Sequence, residues 1–469
     1  MDIITTIAAL CFLMLVAYRG FSVILFAPVA ALFAVAWVSP YHLLPFFSGI
    51  YMEKLVGFLK PYFPVFLLGA LFGKLIEVSG FARTITGRVI RLLGQNNAIL
   101  AVVLVCAILT YGGVSLFVAA FAVYPFAAEL FKAAGIPRRL IPGAIALGSF
   151  TFTMDALPGS PQIQNIIPTT FFHTNTWAAP KLGLLGAAFV LLTGMAYLSF
   201  RRAQAARRGE GYGGADEPTA AAEPAAPALN TALPAALLAL LPLILVGVLN
   251  RYFTGLLPRL YPSLFDFVKI GVSQVPPLDP SKLIAIWAVE GALLIGILAV
   301  VALAFRKVAQ NFAVSANAAL AGAMLAAINT ASEYGFGGVI AALPGFRAIS
   351  SAMAHAFQNP LLNAAVTTTV LAGITGSASG GMSIALATMG QSYLERATAI
   401  GIPPEVLHRV AAMASGGMDT LPHNGAVITL LAVTGLSHRQ SYIDIFAMTL
   451  IKTTAVFVVI AFYSLTHLY

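Results

Sequence analysis

Five carboxylates stand inside apolar stretches of this chain: Glu77, Asp155, Glu290, Glu333 and Asp419, with Glu129 nearer the end of another. A carboxylate at mid-membrane depth costs about 2.5 to 3.5 kcal/mol on insertion scales, so such groups face cavities and serve ion or proton pathways. Burial brings a carboxyl group's proton affinity towards neutral pH, which suits proton exchange. Asp419, Asp155, Glu333 and Glu77 carry most weight as proton-coupling residues because each recurs within a repeated phrase. Glu290 is not repeated and is equally a structural partner for a polar loop. His423, four residues beyond Asp419, either hydrogen-bonds a substrate, titrates, or satisfies backbone freed near Pro422.

A second set supplies neutral donors. Asn329, Thr330, Ser332, Thr375, Gly376, Ser377 and Ser379 stand at Gly/Ser-rich interruptions of the second half; Tyr111, Gly112 and Gly113, with Ser79 and Ser115, are sparser counterparts in the first. A helix broken inside a membrane points free N–H groups and partial positive charge at the midplane, where an anion fits. Small residues also permit close helix packing on their own; it is their concentration at duplicated breaks that favours a substrate site.

These residues recur by internal duplication. Met154-Asp155-Ala156-Leu157-Pro158 returns as Met418-Asp419-Thr420-Leu421-Pro422, and Gly135-Ile136-Pro137 as Gly401-Ile402-Pro403. Thr110-Tyr111-Gly112-Gly113 matches Thr375-Gly376-Ser377, and Glu77 to Phe81 echoes Glu333 to Phe336. Paired interrupted segments in corresponding halves point to a transporter's binding site. Short matches also arise within one half, as Ala-Ser-Gly-Gly-Met does at 378–382 and 414–418, so the duplication rests on the order of its landmarks.

Composition sets the surroundings. With 59% hydrophobic residues, 9% charged and a mean hydropathy of +0.90 over 469 residues, the chain departs from soluble domains and supplies about ten to twelve spans. The charge of +9 gathers between spans, at Arg138-Arg139, Arg201-Arg202, Arg207-Arg208 and Arg306-Lys307, a positive-inside pattern and not a nucleic-acid surface. Residues 3–18 read as a retained span, since Asp2 stands where a signal peptide would be basic. Cys11 and Cys106 make no disulfide framework, and neither metal spacing nor a phosphate-loop motif appears, so no cofactor, no metal and no ATP-driven motor are expected.

The expected fold is an all-α polytopic membrane protein of two inverted repeats, each with a re-entrant hairpin and broken helices. Residues 1–200 form the first half, 201–230 a flexible cytoplasmic linker, and 231–469 the second half. The hairpins are expected at 61–82, where Pro61, Pro64, Gly69, Gly73 and Gly80 crowd together, and at 313–344; broken segments are expected at 96–133, 139–172, 361–398 and 405–435. Counting from Arg19 inside puts Arg138-Arg139 inside and the Pro403-Pro404 corner outside, with Arg83, Arg88 and Arg91 awkwardly outside.

Asn329 to Gly338, the Gly-Ile-Pro corners, and the stretch from Leu421-Pro422-His423-Asn424-Gly425 to His438-Arg439-Gln440-Ser441-Tyr442 resemble the gluconate permease family of proton symporters, within the ion transporter superfamily. The look is nearest its D-beta-hydroxybutyrate branch, and Leu157-Pro158-Gly159-Ser160-Pro161 departs from the Pro-Pro-His-Pro-Gly-Pro of gluconate members, which counts against gluconate itself. The resemblance implies a multi-pass bacterial inner-membrane symporter, not an enzyme, which imports a small organic anion with protons. It also implies an elevator motion and a homodimer, with membrane lipid around it and no nucleic acid. Asn329-Thr330 and Ser332 match the superfamily's carboxylate clamp. Two other functions compete: a sodium-coupled di- or tricarboxylate carrier, and an intramembrane aspartyl hydrolase using Asp155 and Asp419.

Overall fold

Apolar runs of this density bury their backbone polar groups best as helices, and helices are what form. The computed structural model describes residues 2–19, 21–114, 116–213, 233–272, 275–346, 348, 352, 357–422 and 424–469. The first half contains α1 Asp2–Tyr18, α2 Val23–Val38, α3 Met52–Val78, α4 Phe81–Leu93, α5 Ala98–Tyr111, α6 Leu116–Ala133, α7 Ile141–Ser149, α8 Ile163–Phe172 and α9 Pro180–Arg207. The second contains α10 Leu233–Leu260, α11 Ile284–Leu303, α12 Phe305–Ala342, α13 Pro360–Thr375, α14 Ala378–Ala399, α15 Pro404–Gly416, α16 Gly425–Thr434 and α17 His438–Thr466. Among the described residues no strand forms, only an isolated Phe265–Leu278 bridge. Six helical stretches are long and apolar enough to cross a membrane unaided.

The halves match element by element. Both Gly-Ile-Pro corners close a helix in the same way: Gly135 and Gly401 take φ of +62° and +75°, Ile136 N–H donates to Phe131 O (2.8 Å), and Ile402 N–H to Ala397 O (2.8 Å). This is the glycine-capped helix end in which the following residue reaches back five positions. α5–α6 and α13–α14 precede these corners in parallel order; α7–α8 and α15–α16 come next, each a pair of short helices around an aspartate; α9 and α17 close each half.

Corresponding helices run in opposite directions. Arg201, near the end of α9, pairs with Asp444, near the start of α17 (2.7 Å). α3 and α12 are also antiparallel: Tyr51 and Lys54 touch Gly335 and Gly338, while Lys307 at the other end donates to Ser79 O (3.3 Å). Two copies of one topology are therefore inverted, as the loss of arginines at the second corner implied.

Four expectations need correction. The segments 61–82 and 313–344 are not hairpins: 61–78 lies within α3 and 313–342 within α12. Prolines at 61 and 64 are carried inside a helix, as membrane helices permit, and the glycines of α12 are contact points. A Cβ on Gly335 would meet Tyr51 O at 2.9 Å, and one on Gly337 would meet Ile384 Cγ1 at 2.6 Å. The re-entrant hairpins are instead α5–α6 and α13–α14. Their first arms, of 14 and 16 residues, reach about 21 and 24 Å, short of a bilayer's roughly 30 Å of hydrocarbon, and the return arms of 18 and 22 residues lead back to the side of entry. The feet of the second hairpin meet, Arg396 donating to Gln358 O (2.6 Å), and its arms touch so closely that a Cβ on Gly381 would lie 2.1 Å from Ala372 Cα.

Removing the false hairpin also corrects the count of crossings. Arg202 donates to Asn96 O, just past α4 (2.9 Å), so amphipathic α4, with Arg83, Arg88 and Arg91, lies at the same arginine-rich face as Arg201-Arg202, the face that the positive-inside rule assigns to the cytoplasm. Ten crossings and two re-entrant hairpins follow for the described residues. The linker's first residues are ordered: α9 continues to Arg207, Glu210 pairs with Arg139 (2.6 Å), and Arg138 N–H donates to Tyr212 O (3.1 Å). Residues 214–230 of the linker fall outside the described residues. Lastly, Glu77 and Glu333 are not equivalent. Gly80-Phe81 just after α3 corresponds to Gly345-Phe346 just after α12, whereas Glu333 lies nine residues before that helix's end.

Candidate functional site

The second hairpin brings the donor-rich residues to one point. α13 ends at Thr375, Gly376 turns the chain at φ +69°, and Ser377 caps α14, its Oγ accepting from Gly380 N–H (3.1 Å). Ser377 Oγ lies 3.4 Å from Ser379 Oγ, and Ser379 Oγ is 3.2 Å from Thr330 Oγ1 on α12. Thr375 Oγ1 donates to Ser377 O (3.1 Å) and so braces the turn. Asn329 and Ser332 flank this group on α12. Ser332 Oγ and Glu333 Oε2 are buried without hydrogen-bond partners. The Glu333 carboxylate presses on the first turn of α14, where a Cβ on Gly380 would fall 1.4 Å from Oε2.

The broken helix α15–α16 docks onto the same tip. Asp419, on the turn between them, accepts from Ala378 N–H (3.1 Å) and from Asn424 Nδ2 (3.3 Å) at Oδ1, and from Gln164 Nε2 (2.9 Å) at Oδ2. A carboxylate at the N-terminus of α14 satisfies an orphan N–H and the helix dipole together. Asn424 also donates to Gly376 O (2.9 Å). The first half repeats this docking: Tyr111 OH donates to Pro158 O (2.8 Å) and Gln162 Nε2 to Thr110 O (2.7 Å). Among its described residues the tip shows no hydroxyl cluster, since Tyr111 is committed, Gly112 packs on Leu243, and Gly113 on Leu293, Pro161 and Phe72. Ser115 and His423 lie outside the described residues.

Asp155 approaches Asp419 from the other half. Its Oδ2 lies against Gly416, at the end of α15, where a Cβ would be 1.6 Å away. Glu77 does not join this group; half-exposed at the end of α3, it pairs with Lys74 (2.9 Å).

Two buried cations, a buried histidine and polar side chains that the sequence pattern did not single out complete the centre. Lys452 of α17 donates to Phe150 O (2.6 Å) and Gly416 O, within electrostatic reach of Asp155 and Asp419. Arg409 is fully buried and spends its guanidinium on Ala178 O (2.7 Å), Asp155 O (2.8 Å) and Asn165 Oδ1 (3.0 Å). His408 bridges Thr174 Oγ1 (2.7 Å) and Asn165 Oδ1 (3.2 Å). A lysine midway along the last apolar span was the available signal for Lys452. Arg409 and Asn165 have no repeated partner, so the duplication could not flag them.

Comparison with known proteins bears on this arrangement. No family model matches the sequence. A Bacillus subtilis (strain 168) protein named an uncharacterized transporter, YxjC, is 61% identical, with 100% of both chains covered. The chain belongs to the YxjC family. A solved structure described as the Alcanivorax borkumensis YdaH transporter, of unusual topology, shares 16% identity over 87% of this chain and 86% of its own, at a TM-score of 0.45. Within the YxjC-family chain, the grouped polar residues lie where two inverted halves meet, at the ends of interrupted helices, and among the described residues no cluster of His, Cys, Asp and Glu is built to hold a metal.

Proposed function

We propose that this member of the YxjC family is a secondary transporter of the bacterial inner membrane. It imports a small hydroxy-monocarboxylate, 3-hydroxybutyrate or a sugar acid such as gluconate, together with protons. The observation that carries the reading is the tip of α13–α14: hydroxyls of Thr330, Ser377 and Ser379 gathered at a helix N-terminus, beside two buried carboxylates, Glu333 and Asp419. The neutral donors and helix end suit a carboxylate, and the hydroxyls suit a hydroxy-acid. Glu333, Asp419 and Asp155 take up the proton that balances the anion. The resemblance to gluconate permeases and the relative's name as a transporter support the same reading.

Alternating access proceeds by an elevator motion, in which the hairpins and broken helices travel against a frame of α1–α3 and α10–α12. The test is uptake of labelled 3-hydroxybutyrate and gluconate into proteoliposomes under an imposed pH gradient, a sodium gradient, or neither. Accumulation driven by the inward proton gradient alone is expected. Accumulation that follows only sodium would replace proton coupling by sodium coupling, and hydrolysis without uptake would replace transport by enzymatic chemistry.

A further inference from the structure

Lys452 brings a buried ammonium to the centre, to which the proposed transport assigns no role. Its ammonium donates to the carbonyls of Phe150 and Gly416. Phe150 caps the C-terminal end of α7 and Gly416 is the last residue of α15, so these oxygens belong to the equivalent half-helices of the two inverted copies. Phe150 follows the last turn of its helix, and at Gly416 the α-helix gives way to a 3-10 turn over Gly417–Thr420, so both carbonyls lie where the α-helical ladder ends and the negative end of the dipole attracts a cation. Carboxylates from each half, Asp155 and Asp419, stand within electrostatic reach. Arg409 is the other charge acting on Asp155. Next to Lys452, Thr453 Oγ1 is buried without a hydrogen-bond partner, and a Cβ on Gly417 would lie 2.7 Å from it. Two backbone carbonyls thus hold the ammonium directly, with the carboxylates acting from beyond ion-pair distance, and oxygens of these kinds are what hard cations take.

We propose that Lys452 is a tethered cation: its ammonium fills an oxygen-lined site at the junction of the two half-helix ends that, without it, binds an alkali-metal ion. The consequence for coupling is that the protein carries its own positive charge at the crossing point and needs no sodium there. This consequence rests on the proposed transport function; the occupancy of the site does not.

The two parts separate experimentally. For occupancy, thermal unfolding of the purified full-length chain is followed in NaCl, KCl and choline chloride at equal ionic strength. Wild type should have one midpoint in all three salts. Lys452→Ala and Lys452→Ser should be raised by Na⁺ or K⁺ over choline by about 3 °C or more, saturably, as a ligand bound only by the folded state requires. The same midpoint in all salts for both variants would overturn the proposal, as would a cation effect equally large in wild type or a failure of both variants to fold even in NaCl. For coupling, uptake by Lys452→Ala in proteoliposomes should become dependent on Na⁺ or K⁺. If the cation stabilises the variant but no protein, wild type included, takes up substrate, the tethered cation stands and the transport reading falls.

Discussion

At the scale of single residues, Asp419 and Arg409 illustrate two uses of a buried charge. Both oxygens of Asp419 accept, from Ala378 N–H, Asn424 and Gln164. Asp419→Asn must place an NH₂ group against one of these donors whichever way the amide is turned. Leaving a buried donor unmet costs about 1 to 3 kcal/mol, and that penalty falls on the hairpin tip. The expected result is a protein that folds but shows roughly a ten- to hundredfold weaker apparent affinity in uptake, with proton-driven accumulation lost. Unchanged accumulation against a pH gradient would remove Asp419 from the coupling path. Arg409, by contrast, is spent on loop carbonyls and Asn165. Arg409→Lys cannot reproduce a planar fork that serves separate acceptors, so its yield in the membrane should fall to the level of Arg409→Ala, as measured by the monodisperse fraction after detergent extraction. Recovery of normal yield by lysine would show that charge alone suffices there. Asp155, Glu333 and Asp419 were legible in the sequence because a carboxylate in an apolar run is costly, and two of them are repeated. Lys452, Arg409, Asn165 and Gln164 were not, because their roles depend on which distant carbonyls and carboxylates the fold brings within 3 Å or so.

At the scale of elements, the breaks were legible and the hairpins were misplaced, for one physical reason. Glycine and proline mark either a turn or a close approach, and sequence alone does not separate the two. At Gly376 a positive φ turns the chain; at Gly335, Gly337 and Gly338 the chain stays helical and the missing Cβ admits Tyr51, Ile384 and Lys54. Gly381 is the same kind of residue inside the true hairpin, where a methyl group would meet the backbone of Ala372. Gly381→Ala should therefore destabilise the hairpin by about 1 to 3 kcal/mol, the usual cost of overpacking, and reduce uptake, whereas Gly322→Ala, with open space around its Cβ position, should be silent. A thermal-shift series that ranks the two alike would contradict the packing. The cytoplasmic end of α9 gives a pH-dependent element. Glu210 is held below the usual carboxylate range by hydrogen bonds from Arg139, whose guanidinium is in turn pushed up. A carboxyl with a lowered folded-state pKa stabilises at pH above its unfolded value and loses that contribution as the pH falls through the folded one. Hydrogen exchange across residues 208–213 should therefore be slow at neutral pH and, at matched intrinsic rates, accelerate once the medium is acidified below the normal glutamate range. Glu210→Gln should abolish that pH dependence, and a pH response that survives the substitution would mean another group controls the segment.

At the scale of the whole molecule, inversion is the property that follows from everything smaller. α9 and α17 run antiparallel, as do α3 and α12, and the feet of the two hairpins lie at opposite ends of the bundle. Asn96 and Arg139 gather with Arg201, Arg202 and Asp444, while the Gly401 corner lies at the far end, near His408 and Thr174. The positive-inside rule then predicts one sidedness for the chain: α4 and the Arg138-Arg139 corner on the cytoplasmic side, and the Gly401-Ile402-Pro403 corner and the C-terminus on the other. Leu92, Ile400 and Leu468 are all exposed, so each tolerates a cysteine with little disturbance, once Cys11 and Cys106 have been replaced by serine. In intact cells a membrane-impermeant maleimide should label Ile400→Cys and Leu468→Cys and spare Leu92→Cys; in inverted vesicles the pattern should reverse. Labelling of Leu92→Cys and Ile400→Cys from the same side would be incompatible with two inverted halves. It would also separate Asp155 from Asp419 as equivalents, and with them the argument that a site formed at the crossing of two half-helix ends serves both faces of the membrane in turn.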